Sequence, residues 1–157
     1  MRDPKTGFAV VQVLAPAFYS GDDIVSGSFF GPDTIRRIPG PAFDLAGFNS
    51  AALIVNVGAS NGGSPPVVTT SSFGLGIQLQ QEAYPGTGIW EDSPELQTAP
   101  GRQTWYGLMF LQPGAEHTFH ASLRQRKYRL VAGVRPGYLV AASALLLKGH
   151  PTQRPSF

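Results

Sequence analysis

The sequence predicts an all-β protein: an antiparallel β-sandwich, jelly-roll-like, of about eight strands. Glycine and proline account for 19 and 14 of the 157 residues, and they interrupt the chain every few positions. Such punctuation favours short strands joined by turns. Several segments alternate apolar and polar side chains at every second position, which is the period of a half-buried strand. Two continuous apolar runs, Ala51 to Val57 and Trp105 to Leu111, are typical of strands buried on both faces.

The clearest strand is Phe73 to Glu82. Its apolar side is formed by Phe73, Leu75, Ile77 and Leu79, and its other side by Gly74, Gly76, Gln78, Gln80 and Glu82. The same alternation occurs in Ala115 to Arg124 and in Lys127 to Val134. Phe8 to Ala15 and Ile89 to Asp92 are weaker candidates. The glycines Gly74 and Gly76 lie inside a strand pattern, which indicates crowded or bulged positions.

The chain end is expected to add one more strand. Arg135-Pro136-Gly137-Tyr138 predicts a type II turn, because proline fixes φ at the second position and glycine accepts positive φ at the third. We expect this turn to join Lys127–Val134 to Leu139–Lys148 as a hairpin. The alanine and leucine content of Leu139–Lys148 would suit a helix. The preceding turn and the following Gly149-His150-Pro151 favour a strand.

We expect one domain over residues 1–157, with an extended connection at about residues 20–41 and a C-terminal arm at residues 150–157. A chain of this length buries roughly 70% of the surface that its unfolded form exposes. It therefore needs neither a disulfide nor a metal to fold, and it has no cysteine. The hydrophobic fraction of 42% fits a folded domain, and no apolar run reaches the roughly 18 residues that span a membrane.

Catalytic constellations are missing from the sequence. His117 and His120 are three residues apart on a predicted strand, so they face opposite sides and cannot share one metal ion. We interpret His117 as a hydrogen-bonded core residue. Glu91 and Asp92 are adjacent and point apart, unlike the paired carboxylates of a glycosidase. No serine lies in a Gly-x-Ser-x-Gly elbow. We therefore expect no enzyme activity, no cofactor and no metal.

A basic cluster leaves three interpretations open. Arg124, Arg126, Lys127 and Arg129 lie close together in a turn and the start of a strand. They fit a phosphate-contacting patch, a solvated sheet edge protected by charge, or an ion-pairing surface for an acidic neighbouring subunit. The formal net charge is only +2, and no aromatic ladder interleaves the arginines. Nucleic acid is therefore not the expected partner.

Aromatic residues allow a second function. Tyr84, Trp90, Trp105 and Tyr106 would suit either a sugar-binding shelf or core and interface packing. The alternative function is thus a carbohydrate-binding β-sandwich module on the surface of a particle.

Four segments resemble small head-associated structural proteins of tailed bacteriophages and prophages. They are Ser50–Ala59 (SAALIVNVGA), Gly76–Gln81 (GIQLQQ), Lys127–Ala132 (KYRLVA) and Leu146–Pro151 (LLKGHP) with Arg154-Pro155. Together these segments and their surroundings cover about half of the chain. The chain departs from this pattern at Gly58–Thr70, which lacks a short Asp-Gly turn, and at residues 20–41, which have no counterpart.

The resemblance implies a virion structural protein, such as a capsid decoration or minor head protein, made in the host cytoplasm. It also implies that the partners are the major capsid protein or other virion subunits, with homo-oligomers on a symmetric lattice. Proline-rich arms suit such docking because they lose little conformational entropy. The predicted interface residues are Ile35, Arg36, Arg37, Ile38, Arg124, Arg126, Arg129, His150, Pro151, Arg154 and Phe157.

Overall fold

The computed structural model describes residues 9–21, 34–45, 47–62, 67–69, 73–93, 104–105, 107–121 and 127–151. None of these residues is helical, so the prediction of an all-β protein is confirmed. The strands are β1 (Ala9–Ser20), β2 (Arg36–Pro39), β3 (Phe48–Gly62), β4 (Val67–Thr69), β5 (Leu75–Glu82), β6 (Trp90–Asp92), β7 (Thr104–Trp105), β8 (Leu108–Phe110), β9 (Ala115–Ala121), β10 (Tyr128–Val134) and β11 (Tyr138–Pro151).

The strands form two antiparallel sheets with the topology of a jelly roll. The first sheet has the order β1–β11–β3, with β9 and β4 both pairing to β3. The second has the order β2–β10–β5–β8–β7, and β6 also pairs to β5. If the short strands β4, β6 and β7 are left aside, each strand lies in the opposite sheet from the strand before it. The one exception is β8, which lies in the same sheet as β5. The predicted jelly-roll-like sandwich is confirmed.

The turn at residues 135–138 forms, but it does not make a hairpin. Gly137 has φ of 77°, and the Tyr138 amide donates to the Arg135 carbonyl at 3.2 Å. However, β10 pairs with β2 and β5, whereas β11 pairs with β1 and β3. The predicted hairpin is wrong, because both edges of each strand are already paired within its own sheet. The turn is instead a corner that carries the chain from the second sheet to the first.

Two other expected boundaries change, while the last strand is confirmed. Leu139–Lys148 lies inside β11 and is extended, as predicted. Within the expected connection at residues 20–41, β2 forms an edge strand of the second sheet and pairs with β10. The expected arm at residues 150–157 begins too early, because Pro151 still pairs with Phe48. Residues 22–33 and 152–157 lie outside the described residues.

The core lies between the facing sides of the two sheets. Leu53 and Val55 of β3 and Leu146 of β11 contribute from the first sheet, and Ile77 and Leu130 from the second, each at most 3% exposed. The ring of Tyr128, which is fully buried, stacks on Phe43 with a centroid distance of 6.0 Å. Burial of these apolar side chains is the main force that holds the sheets together.

A second, smaller apolar cluster covers part of the second sheet from outside. Leu108 and Phe110 of β8 pack there with Ile35, and all three are buried. Leu108 occupies the room left by glycines: a Cβ on Gly76 would lie 3.1 Å from the Leu108 Cβ, and one on Gly133 would lie 2.4 Å from its Cδ1. The interpretation of Gly76 as a crowded strand position is therefore confirmed.

Edge strand β1 is irregular at its centre. Its pairing with β11 shifts between Gln12 and Leu14 and again between Leu14 and Ala17. Below the second shift, the buried Tyr19 donates its hydroxyl to the Ala15 carbonyl at 2.5 Å. Burial raises the pKa of Tyr19 above its ordinary value of 10.0, because the charged phenolate is poorly solvated there.

This raised pKa predicts a loss of stability in alkali. The folded state holds the Tyr19 proton more tightly than the unfolded chain does, so its stabilising effect is complete below about pH 10 and is lost as pH rises above that value. Tyr19→Phe should weaken this alkaline loss, at a cost of about 1 kcal/mol near neutrality for the missing hydrogen bond. Denaturant unfolding from about pH 8 to about pH 11 tests it, with the exposed Tyr84→Phe as control. Identical pH profiles for both variants would contradict the prediction.

Candidate functional site

The outer side of the first sheet carries an apolar face at the end where β1 begins. This apolar face consists of Val10, Ala52, Ile54, Leu145 and Leu147. Strand pairing sets these residues in two rows. In the first row Leu147 lies between Val10 and Ala52, and in the second Leu145 lies beside Ile54. Val10 is 49% exposed, and the other four side chains are half-buried. Because side chains alternate along each strand, the core residues of the same strands point the other way.

Polar but mostly uncharged residues complete these rows. Gln12 lies beside Leu145, Thr118 beside Ile54, and His120 beside Ala52. His120 is the only titratable side chain in the two rows. Depletion of charge around apolar residues is typical of the centre of a protein–protein interface, and a contiguous exposed apolar patch commonly marks an interaction site.

A groove of about 720 Å³ adjoins the apolar face on the same outer side, beginning one row beyond Leu145 and Ile54. One wall is the irregular part of β1 at residues 16–18, and the other is the start of β9 with the turn before it. The floor is made of small or short side chains: Asn56 and Gly58 of β3, and Ala141 and Ser143 of β11.

The groove combines one bare aromatic ring with a row of polar side chains. Phe18 is 76% exposed, although an aromatic ring of this size is usually largely buried. Ser143, Asn56 and Glu116 stand side by side on β11, β3 and β9. Neighbouring strands are about 4.8 Å apart. A hydroxyl, an amide and a carboxylate therefore line up across roughly two strand spacings.

The outer side of the second sheet holds a network of hydrogen bonds. Arg37 Nη1 donates to Gln78 Oε1 at 3.3 Å, and Gln80 Nε2 donates to the same oxygen at 3.4 Å. Arg129 Nε donates to Gln80 Oε1 at 2.8 Å, and its guanidinium lies 4.7 Å from the centre of the Trp90 ring. Two predicted interface residues, Arg37 and Arg129, are thus brought onto one surface through Gln78 and Gln80.

The other predicted interface residues are distributed differently. Arg36 is exposed, and its Nη1 donates to both the carbonyl and the hydroxyl oxygen of Ser20 at 3.3 Å. Ile38 is half-buried against the main core. Ile35 is 6% exposed and packs inside the smaller cluster, so its side chain serves this chain's own packing and is not open to a neighbour.

Four of the predicted residues, Arg124, Arg126, Arg154 and Phe157, lie outside the described residues. His150 and Pro151 are described as part of β11, without their side chains.

Potential catalytic and metal-binding groups stay apart. His117 is 8% exposed and its Nε2 lies 2.9 Å from the Gln112 carbonyl, which confirms the interpretation of a hydrogen-bonded core histidine. His120 is exposed on the opposite side of β9. Within the ranges given above, no three His, Asp or Glu side chains gather as a metal ion would require. Those ranges also hold no helix of the length and hydropathy needed to cross a bilayer.

Of the aromatic shelf foreseen around Trp90, the structure describes the side chains of Trp90 and Tyr84. Arg129 stacks on the Trp90 ring, and Tyr84 is 68% exposed in the turn between β5 and β6. The side chain of Trp105 and the whole of Tyr106 are not described. The exposed aromatic that does border a groove is Phe18, on the opposite sheet, and sequence reasoning missed it.

No protein-family model and no curated protein matches this sequence.

Proposed function

We propose that this protein is a virion structural subunit of a tailed bacteriophage, a capsid decoration or minor head protein that binds neighbouring subunits. The observation that carries the proposal is the apolar face on the outer side of the first sheet. Its five side chains form an uncharged patch across three strands, with Val10 half exposed to solvent. A contiguous apolar patch of this kind commonly marks an interaction site.

The geometry of β1 favours contact through this face over contact through the sheet edge. An edge strand offers free main-chain groups to another strand unless bulges or proline interrupt it. In β1 the pairing shifts twice, and Pro16 lies within the second shift. Lateral addition of a strand from a neighbour is therefore disfavoured along the middle of β1. A neighbour gains more by covering the apolar face.

On a symmetric particle, an apolar patch of modest size is sufficient for stable binding. Each covered leucine or valine contributes about 1–2 kcal/mol or less, depending on how much of it was exposed. Many copies on one lattice then add their contacts, so that total affinity exceeds that of a single contact by orders of magnitude. The resemblance of Ser50–Ala59 and Leu146–Pro151 to phage head proteins supports a virion as the setting. These two segments run side by side in β3 and β11 and contain three of the five residues of the apolar face, Ala52, Ile54 and Leu147.

Charge placed on the apolar face should block assembly. Leu147→Glu and Val10→Glu each bring a carboxylate into the proposed contact, and desolvating it there costs several kcal/mol. We expect at least about a hundredfold weaker cosedimentation with capsids of the phage that encodes the protein. Ile89→Glu is the matched control, because Ile89 is 56% exposed in the turn between β5 and β6.

The three variants should all stay folded, which circular dichroism and thermal unfolding would check. Cryo-electron microscopy of the particle would then show which face is covered. Wild-type protein that fails to bind capsids, or a Leu147→Glu variant that binds like the Ile89→Glu control, would overturn the proposal.

A further inference from the structure

We infer that the groove beside Phe18 is a binding site for a neutral oligosaccharide. The groove is bounded by residues 16–18 of β1 and by the start of β9, has a volume of about 720 Å³ and is open to solvent. It adjoins the apolar face, since Ser143 lies two residues from Leu145 on β11, but it shares none of the five residues of that face, and the inference does not rest on the proposed function.

The exposed ring of Phe18 needs a ligand with a flat apolar surface. An aromatic ring at the rim of a groove offers a large, rigid contact area at little conformational cost. The C–H face of a pyranose ring has the matching size and lacks charge. Pro16 and Ala17 extend the same wall, so that more than one sugar ring has an apolar surface to lie on.

The polar row meets the hydroxyl groups of such a ligand. Asn56 offers both a donor and an acceptor, Ser143 a hydroxyl, and Glu116 a carboxylate acceptor. Asn56 and Glu116 are exposed and Ser143 is half-buried, so all three are open to a ligand in the groove. Spaced at strand intervals, they suit a chain of hydroxyls better than a single point charge.

The floor favours a sugar over a peptide. Extended peptides usually bind by adding main-chain hydrogen bonds to a free sheet edge. Both floor strands are paired on each side here, β11 with β1 and β3, and β3 with β11 and β9. The main-chain groups of the floor are therefore used within the sheet, and the floor offers a ligand only its side chains. Hydroxyl-rich ligands are recognised through such side chains.

The charge of the groove excludes acidic ligands. Among the described residues that line it, twelve in all, Glu116 is the only charged one. A sialylated, sulfated or phosphorylated ligand would meet like charge with no compensating cation in the lining. We therefore assign the site to neutral glycans.

Nuclear magnetic resonance titration of the full chain tests the site. The probes are maltotriose, cellotriose and chitotriose, with sialyllactose as the acidic comparison. We expect at least one neutral trisaccharide, at about 10 mM, to shift the signals of Asn56, Ser143 and Glu116, as for a dissociation constant near 1 mM. Phe18→Ala should weaken binding about tenfold, whereas Tyr84→Ala, which removes an exposed ring elsewhere, should not. Glu116→Gln should improve binding of sialyllactose.

Several results would overturn the assignment. They are the absence of any shift with all three neutral sugars, shifts that centre on Trp90 of the second sheet, and unchanged affinity in Phe18→Ala. Tighter binding of a peptide copying residues 147–157 at the same signals would make the groove a polypeptide site instead. Because Phe18 is 76% exposed, the variant should keep the fold, and thermal unfolding verifies this. Capsid binding by Leu147→Glu is a separate measurement, so failure of one proposal does not decide the other.

Discussion

Replacing Gly40 with alanine should lower the free energy of unfolding by about 3 kcal/mol. Gly40 follows β2, and its amide donates to the Leu130 carbonyl at 2.7 Å. A Cβ at this position would lie 2.2 Å from the Val13 carbonyl oxygen and 3.1 Å from that of Leu130. Both atoms are backbone atoms, one in each sheet, so the clash can be relieved only by moving a strand. Chemical denaturation followed by circular dichroism measures the loss.

A matched glycine separates this clash from conformational cost. Gly86 has φ of 77° and open space around it, so Gly86→Ala should cost only about 1 kcal/mol through backbone strain. Gly40 carries no such positive φ, and its effect must come from contact. A Gly40→Ala variant as stable as wild type would show that the second sheet's edge does not approach β1 so closely.

The importance of Gly40 could not be predicted from the sequence. In the sequence, Gly40 stands between Pro39 and Pro41 and looks like any loop glycine. Its importance comes from Val13, a residue far away along the chain that contacts it only after both sheets form. The same holds for Gly21, where a Cβ would lie 2.0 Å from the Arg135 carbonyl oxygen. The sequence shows that a glycine is present, but not which backbone atoms lie against it in the folded protein.

Alternation along single strands was predictable, whereas pairing was not. Phe73–Glu82 and Lys127–Val134 contain β5 and β10, because burial of one side imposes a period of two on neighbouring residues. The side of β5 that was predicted to be polar is more buried than expected, since Gln78 is only 5% exposed and Glu82 only 8%. The smaller cluster and the network around Gln78 cover that side. The smaller cluster depends on β8 and the network depends on β2. No local sequence pattern reveals how these two strands pair.

For the candidate sites too, the sequence predicted single residues but not how strand pairing brings them together. Charge drew attention to Arg37 and Arg129, but their connection through Gln78 and Gln80 needs β2, β10 and β5 side by side. The groove needs more still. Phe18 faces outward, like Val10 and Gln12, because the two one-residue shifts in the pairing of β1 with β11 cancel in their effect on facing, and the sequence Ala15-Pro16-Ala17-Phe18 has no alternation that would predict its side. The proline was the one available signal of an irregular strand.

Leu146 and Leu147 of β11 should respond in opposite ways to substitution. Leu146 is 1% exposed and lies in the main core, so Leu146→Ala should lower the free energy of unfolding by about 3 kcal/mol through lost burial and the cavity left behind. Leu147 is half-buried on the outer side, where removing the same atoms leaves no cavity, and Leu147→Ala should cost less than about 1 kcal/mol.

Capsid binding should show the reverse order of effects, with the larger loss in Leu147→Ala and the smaller in Leu146→Ala. At a temperature where both variants are folded, Leu146→Ala keeps the apolar face intact and should bind capsids like wild type, whereas Leu147→Ala should bind several-fold more weakly. Denaturation and cosedimentation of the two proteins measure both properties. Equal losses of stability would contradict the alternate facing of β11. Equal losses of capsid binding would mean that assembly depends on the stability of the sandwich and not on contact through its outer side.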